Sequence, residues 1–513
     1  MTNPLTNAAS AATSMRRRAA SPSHQAMTLT IILACYLMVV LDVSIIITGL
    51  PQIREALHFS SEGLSWVQNA YTLTFGGLLL LGARAGDLLG RRRVFMTGIA
   101  IFTGASLLGG LADSSTWLLA ARAVQGVGAA IAAPATLSLL LITFAEGPER
   151  TKAMSYYSIT ASAGGSIGLV LGGVLTTAIS WRWGLFLNVP IGALLLWLSP
   201  RFLPETERSH GRFDLPGALL STAGMSALVY GFVRAASEGW TERFTLVSFI
   251  AGVALLTMFV VNELQAEQPI TPLRLFASRE RSGAYVGRLL LVGGMFSSFF
   301  FITQYLQGVL GYSALTAGLA FLPMTLAMFL MVRVVPRFLP VIGSQRLMIG
   351  GLSLAIVGMA WLSGLSDATA YFPGLAVPMV LVGTGMGATM IPLTTAGIAG
   401  VAPRDAGAAS GLVNVFQQMG GSLGLGILVT VFASATRHAA EHPVAGLSGA
   451  LQARHELAHG VAMALTGSAV LMAAALAVVV LVIRAPKVEL GEDLASQLEE
   501  LEAEIAGERE LVG

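Results

Sequence analysis

The chain has 513 residues, 54% of them hydrophobic and 11% charged, with a formal net charge of +2. Soluble domains carry about 25% charged residues, so this sequence cannot coat a water-facing globule of its size, and lipid must solvate most of its outside. The small net charge gives no footing for a nucleic-acid partner, and the single cysteine, Cys35, excludes an intramolecular disulfide and a thiolate metal site.

Residues 1–28 read as a cytoplasmic N-terminal tail, because the start is polar and Ser/Ala-rich and the apolar run behind it is too long for a secretory signal. A membrane-spanning helix needs about 20 apolar residues. That rule yields about fourteen spans, at 29–50, 64–83, 94–112, 117–142, 152–178, 183–203, 214–234, 244–262, 284–308, 315–335, 346–365, 372–396, 407–433 and 460–483. The expected fold class is an all-α polytopic membrane protein. Its 58 glycines suit close helix packing in a bilayer.

Basic residues set the orientation. Arg16–Arg18, Arg91–Arg93, Arg150 with Lys152, Arg201 with Arg208 and Arg212, Arg274 with Arg279 and Arg281, Arg337 with Arg346, Arg404, and Arg484 with Lys487 all fall on one side of fourteen spans. The loops after spans three, nine and eleven carry no Lys or Arg, so both termini are expected in the cytoplasm. The loops after spans one, seven and thirteen break the pattern. The last of these, near 434–459, gathers His438, His442, His455 and His459 beside Glu441 and Glu456, and reads as a solvated loop rather than a metal site. The acidic tail at 485–513 has Leu494, Leu498, Leu501 and Ile505 at near-helical spacing, as in an amphipathic cytoplasmic helix.

The chain repeats itself. Gly164-Gly165-Ser166-Ile167-Gly168-Leu169 in span five matches Gly420-Gly421-Ser422-Leu423-Gly424-Leu425 in span thirteen. Upstream, Gly126, Gly128 and Pro134 match Gly385, Gly387 and Pro392, with Pro148 and Pro403 marking the loops that follow. The copies run in the same direction, which gives six-helix bundles over 29–203 and 284–484, with two extra linker helices and their loops at 204–283. Parallel repeats with a site at their interface are a transporter arrangement.

Four motifs add a resemblance: Leu41-Asp42-Val43-Ser44 with Leu50-Pro51; Arg84-Ala85-Gly86-Asp87-Leu88-Leu89-Gly90-Arg91-Arg92-Arg93; Arg122-Ala123-Val124-Gln125-Gly126-Val127-Gly128; and Gly164 to Gly168 continuing through Leu169 to Gly172-Gly173. With Trp181-Arg182-Trp183, Phe186 and Asn188-Val189-Pro190, they resemble the major facilitator superfamily from Leu29 to Arg484, and within it the fourteen-helix drug:proton antiporters of the EmrB/QacA type. Ser44 replaces a usual Thr, Ala83 a usual Gly, Ala85 a common Leu, and Leu169 the usual Pro, so the kink that Pro supplies in the fifth helix is in question. The resemblance implies two pseudo-symmetric six-helix bundles plus two linker helices, in the inner or plasma membrane.

Asp42 is the first functional candidate, because a carboxylate costs several kcal/mol inside a bilayer. At 1.5 Å per residue, Asp42 lies roughly 20 Å in from the cytoplasmic end of span one, and Arg122 roughly 8 Å in from the outer end of span four. The two therefore share a depth, and pair if helices one and four adjoin, as the family fold implies. Desolvation favours the neutral acid while Arg122 favours the carboxylate, so protonation can follow the side to which the cavity opens; a permanent structural pair is the alternative.

The resemblance makes Asp87, Gly90, Arg91 and Arg92 a conformational latch, where topogenic charge alone explains the arginines but neither Asp87 nor Gly90. A weak second copy is Arg337, Gly343 and Arg346. Gly164, Gly168 and Gly172, with Gly173, form a face for close backbone approach, which the resemblance reads as a seal against proton leak. Tyr71, Gln125, Gln304, Tyr305, Asn414, Gln417 and Gln418 are the polar groups within spans, candidates for the substrate cavity or for interhelical hydrogen bonds.

The expected function is export of amphipathic or hydrophobic, in part cationic, compounds in exchange for protons, as in multidrug efflux. A dedicated exporter of one endogenous metabolite or an uptake symporter are the rivals. No P-loop, metal cluster or nucleophile–base pair occupies the spans, which argues against an enzyme and against ATP drive. The expectation is a monomer in lipid, with a small amphipathic substrate and protons, no nucleic acid, no metal, and the proton gradient in place of a cofactor.

Overall fold

A computed structural model of the chain describes residues 22–144, 148–205, 213–401, 405–444 and 447–483. The acidic tail with its expected helix, and Arg16–Arg18, Arg208, Arg212, Pro403, Arg404, Arg484 and Lys487, lie outside the described residues. Within them every regular element is helical. Lipid offers backbone groups no hydrogen-bond partner, so a spanning segment must satisfy its own.

The helices are α1 (Pro22–Leu57), α2 (Trp66–Leu89), α3 (Arg91–Gly110), α4 (Ser115–Thr143), α5 (Pro148–Ala178) and α6 (Arg182–Phe186 continuing as Asn188–Phe202). Then come α7 (Leu215–Glu238), α8 (Arg243–Gln265), α9 (Arg279–Gly308) and α10 (Ala314–Ala320 continuing as Leu322–Ile342). The last four are α11 (Ser344–Leu362), α12 (Ala376–Ile398), α13 (Ala406–Glu441) and α14 (Gly449–Leu481). Among the described residues twelve of these are long and apolar enough to cross a membrane. The other two are α2, which carries Gln68, Asn69 and Arg84, and α5, whose apolar stretch is the shorter Ala163–Ala178. This is a multi-pass membrane protein. On α8, Ile250, Val253 and Met258 are each more than half exposed, as a lipid-facing helix requires.

Side chains start these helices where the sequence offers them. Ser114, Asp214, Glu242, Ser278 and Ser313 each accept from a backbone N–H three residues on, capping α4, α7, α8, α9 and α10. Glycines in positive-φ conformations separate consecutive helices: Gly90 (φ 97°) lies between α2 and α3, and Gly343 (φ 86°) between α10 and α11.

Packing repeats between the halves. α1 packs on α5 as α9 does on α13, α2 on α4 as α10 on α12, and α3 on α4 as α11 on α12. α7 and α8 pack on each other, and α7 covers the seam where α2 meets α13. The bundles meet along α2–α13, α5–α10 and α1–α9.

Two expectations need correction. The first span, read as 29–50, is the longer helix Pro22–Leu57, whose polar flanks, with Ser23, His24 and Gln25 at one end and Gln52, Arg54 and Glu55 at the other, stay helical beyond the apolar run. The expected loop at 434–459 is mostly helix: α13 runs to Glu441 and α14 starts at Gly449. Ala-rich sequence at both ends favours winding on over opening into a loop. The histidines accordingly separate. His438, Glu441 and His442 lie exposed on the last turns of α13, while His455 faces Asp367 at 3.7 Å.

Candidate functional site

Asp42 and Arg122 meet in the core of the N-terminal bundle, both with no solvent exposure. α1 brings the carboxylate and α4 the guanidinium, and Arg122 Nη1 donates to Asp42 Oδ2 at 2.6 Å. Gln125, one turn on from Arg122, donates to Asp42 Oδ1 at 2.7 Å and accepts from Arg122 Nη1 at 2.8 Å. A third donor was not anticipated from the sequence: Asn188, which opens the second part of α6, donates to Asp42 Oδ1 at 2.9 Å. Ser106 of α3 closes the ring, accepting from Asn188 at 2.9 Å and Gln125 at 3.2 Å, and donating to the Leu185 carbonyl at 2.9 Å.

Arg122 is held from two further directions. Its Nε donates to the Val67 carbonyl at 3.1 Å, and its guanidinium carbon stands 4.5 Å from the centroid of the buried Tyr71 ring. Tyr71 is thus a wall of this network. The site is nevertheless not fully hydrogen-bonded within the protein: Arg122 Nη2, Asn188 Oδ1 and Tyr71 Oη have no protein partner. Such spare donors and acceptors are uncommon in a buried site.

A separate apolar cavity of about 150 Å³ lies between the bundles. Val43, Ser44 and Ile47 of α1, Leu169 of α5, Met295, Phe296 and Phe299 of α9, and Met328 and Phe329 of α10 line it. None of the seven polar candidates lines it. Gln125 belongs to the Asp42 network. Tyr305 donates to the Ser366 and Thr369 carbonyls, anchoring the loop after α11, and Asn414 donates to Ser410 of its own helix. Gln417 accepts from Arg288 at 2.5 Å, Gln418 is buried against Gly76 of α2, and Gln304 is buried with Nε2 unpartnered.

The glycine face is a backbone contact. A Cβ on Gly168 would lie 2.6 Å from Ser44 Cβ, and one on Gly172 2.6 Å from the Ile45 carbonyl, both on α1. Gly164 meets side chains rather than backbone: Leu37 Cδ1 and Val40 Cγ1 at 3.0 Å, with Val40 Cβ at 3.4 Å. Gly173 points elsewhere, at the Ala314 carbonyl of α10 in the other bundle (2.6 Å). With Leu169 in place of proline, α5 runs without an internal proline, and the Leu169 carbonyl abuts Gly318 of α10.

At the expected latch, Gly90 joins α2 to α3, and Arg92 donates to the Leu203 carbonyl at 3.3 Å and faces Glu205 at 3.5 Å. These contacts tie α3 to the end of α6. Asp87 lies in the last turn of α2, with its side chain outside the described residues, and Arg91 opens α3. Gly90 and Gly343 share one backbone conformation (φ 97°, ψ 130° and φ 86°, ψ 153°) at matching places in the two halves. An added Cβ there costs about 1–3 kcal/mol. Gly90→Ala and Gly343→Ala should each lower the melting temperature of the purified protein by several degrees; unchanged melting would show that the turn tolerates a side chain.

Comparison with known proteins gives the family. Residues 32–425 match the model of the Major Facilitator Superfamily. The chain is 43% identical over 416 residues to the cephamycin export protein CmcT of Amycolatopsis lactamdurans, covering 80% of this chain and 86% of that one. It is 42% identical over 434 residues to the puromycin resistance protein pur8 of Streptomyces alboniger, covering 82% and 85%. It is 39% identical over 401 residues to EfpA, an uncharacterised transporter of this superfamily in Mycobacterium tuberculosis, covering 78% and 76%. In fold it is similar to a bacterial homologue of the human lysosomal transporter Spinster, at a TM-score of 0.64, 18% identity, and coverage of 91% and 98%.

Proposed function

The chain belongs to the major facilitator superfamily, and from that premise we propose that it exports amphipathic, antibiotic-like small molecules in exchange for protons. Its relatives include export and antibiotic-resistance transporters, and this supports the efflux direction. The observation that carries the proton coupling is the enclosed Asp42 network beside, but not inside, the apolar cavity. The reading places both termini in the cytoplasm and assigns the chain to the fourteen-helix branch.

Coupling runs through α1. Asp42 faces into the N-terminal bundle, while its neighbours Val43 and Ser44 line the cavity and Ser44 touches Gly168 of α5. A proton arriving from outside neutralises Asp42 and weakens three donated hydrogen bonds at once. Arg122 then leans on Gln125 and the Val67 carbonyl, and α1 is free to shift against α5. Release of the proton inside restores the ion pair and resets α1. Substrate and proton thus compete through the position of one helix, without touching.

Inside-out vesicles with an acidified lumen should accumulate Nile red, a neutral lipophilic dye, only while the pH gradient stands. Accumulation that survives collapse of the gradient would contradict proton drive. A dedicated exporter of a single endogenous compound is the second reading, favoured by the 43% identity to a cephamycin export protein. Exclusion of Nile red together with gradient-driven transport of one natural product would select it.

A further inference from the structure

Among the described residues, a buried cation on α9 lies outside the Asp42 network. Arg288 of α9 is 8% exposed. Its Nη1 donates to Thr394 of α12 at 2.7 Å and its Nη2 to Gln417 of α13 at 2.5 Å, while Nε has no partner. Both acceptors are neutral, and among the described residues no carboxylate lies within ion-pair distance of it. A buried cation matched only by neutral acceptors is costly in a bilayer, and such residues mark ligand pathways.

The surroundings point at a ligand. Tyr36 lies on α1, which packs against the α9 helix of Arg288, and its ring stacks on Tyr157 of α5 at 4.0 Å between centroids. The two rings belong to one bundle and Arg288 with its partners to the other, so the group sits at the interface that transport must rearrange. None of the three lines the apolar cavity, but Arg288 and Tyr36 share helix faces with residues that do. Arg288, Met295 and Phe299 recur at seven and four residues on α9, as Tyr36, Val43 and Ile47 do on α1. Such spacing keeps one helix face, and puts Arg288 and Tyr36 about 10 Å along their helices from the cavity lining, toward the expected cytoplasmic side.

We infer that Arg288, with Tyr36 and Tyr157, forms a subsite for an acidic head group, so that the substrates include amphipathic anions with the apolar body among Met295, Phe296 and Phe299. A carboxylate or sulfonate would reach the unpartnered Nε and compensate the charge, and the stacked rings would flank it. The inference rests on the export reading for the place of the cavity, but binding at the subsite needs no gradient.

The test is equilibrium binding of 1-pyrenebutyrate and its uncharged methyl ester to purified full-length protein, read by energy transfer from tryptophan. The wild type should bind the carboxylate at least tenfold more tightly than the ester. Arg288→Gln should remove that preference while leaving ester affinity within about twofold, and Arg288→Lys, which keeps the charge, should retain part of it. Equal affinities in the wild type, binding of neither probe, or equal losses for both in Arg288→Gln would overturn the subsite. Absence of gradient-driven transport of both Nile red and 1-pyrenebutyrate, with the carboxylate preference intact, would instead overturn the export reading and leave the subsite standing.

Discussion

Replacing Asp42 by Asn should abolish gradient-driven export while leaving the protein folded in the membrane at close to wild-type abundance. The substitution is nearly isosteric, and the amide oxygen can still accept from Arg122, Gln125 or Asn188 in the arrangement that now surrounds the carboxylate. What is lost is the proton site and the negative charge opposite a fully buried guanidinium. Breaking a buried ion pair costs about 3–5 kcal/mol when one partner is removed outright; keeping a hydrogen-bond acceptor reduces this, because an unmet buried donor costs about 1–3 kcal/mol. Arg122→Ala should be worse for folding, since it strands Asp42 and opens a hole against Tyr71. Asp42→Asn protein that still accumulates Nile red under the pH gradient would remove Asp42 from the coupling step. Protein that fails to reach the membrane would make the pair structural.

The second large effect is expected on the α1–α5 contact. Gly172→Val puts a branched side chain where even a Cβ would be 2.6 Å from the Ile45 carbonyl and the Thr48 hydroxyl, so the helices must separate. Overpacking of this kind costs about 1–3 kcal/mol or more, and here it also displaces the helix that carries Asp42. Export should fall at least tenfold, with a lower melting temperature. The effect should grade with the space available: Gly164→Ala, facing the Leu37 and Val40 side chains at 3.0 Å rather than backbone, should be milder, and Gly104→Ala, with nothing within 4 Å, silent. Equal activity across the series would show that close approach of α5 to α1 has no part in transport.

The fold was legible because lipid leaves few options. Long apolar runs must be helices, and the glycine pattern around Gly164 and Gly420 that betrayed the repeat also makes the backbone contacts of α5 with α1 and of α13 with α9. The Asp42–Arg122 pair was legible for the same reason: a charge in an apolar run is conspicuous, and helix rise gives its depth. Its other partners were hidden. Asn188 and Ser106 are small polar residues in spans, and in sequence such residues look alike whether they serve a network or their own backbone; Asn414, a cavity candidate, turns out to bond its own helix. The cavity escaped because Phe296, Phe299 and Met328 read the same in a packed core and in a lining. Arg288 did leave a signal, a lone cation inside an apolar run, but it was masked by the topogenic arginines Arg279 and Arg281 just before it.

On the proposed mechanism, substrate and proton move in opposite directions through two sites, the apolar cavity and the Asp42 network, joined by α1. Proteoliposomes loaded with Nile red and a pH-sensitive dye, then diluted into dye-free medium without an imposed gradient, test it most directly. The lumen should acidify as Nile red leaves through the wild type, and its pH should stay constant with Asp42→Asn. Protein-dependent loss of Nile red from wild-type liposomes with no change in luminal pH would contradict it.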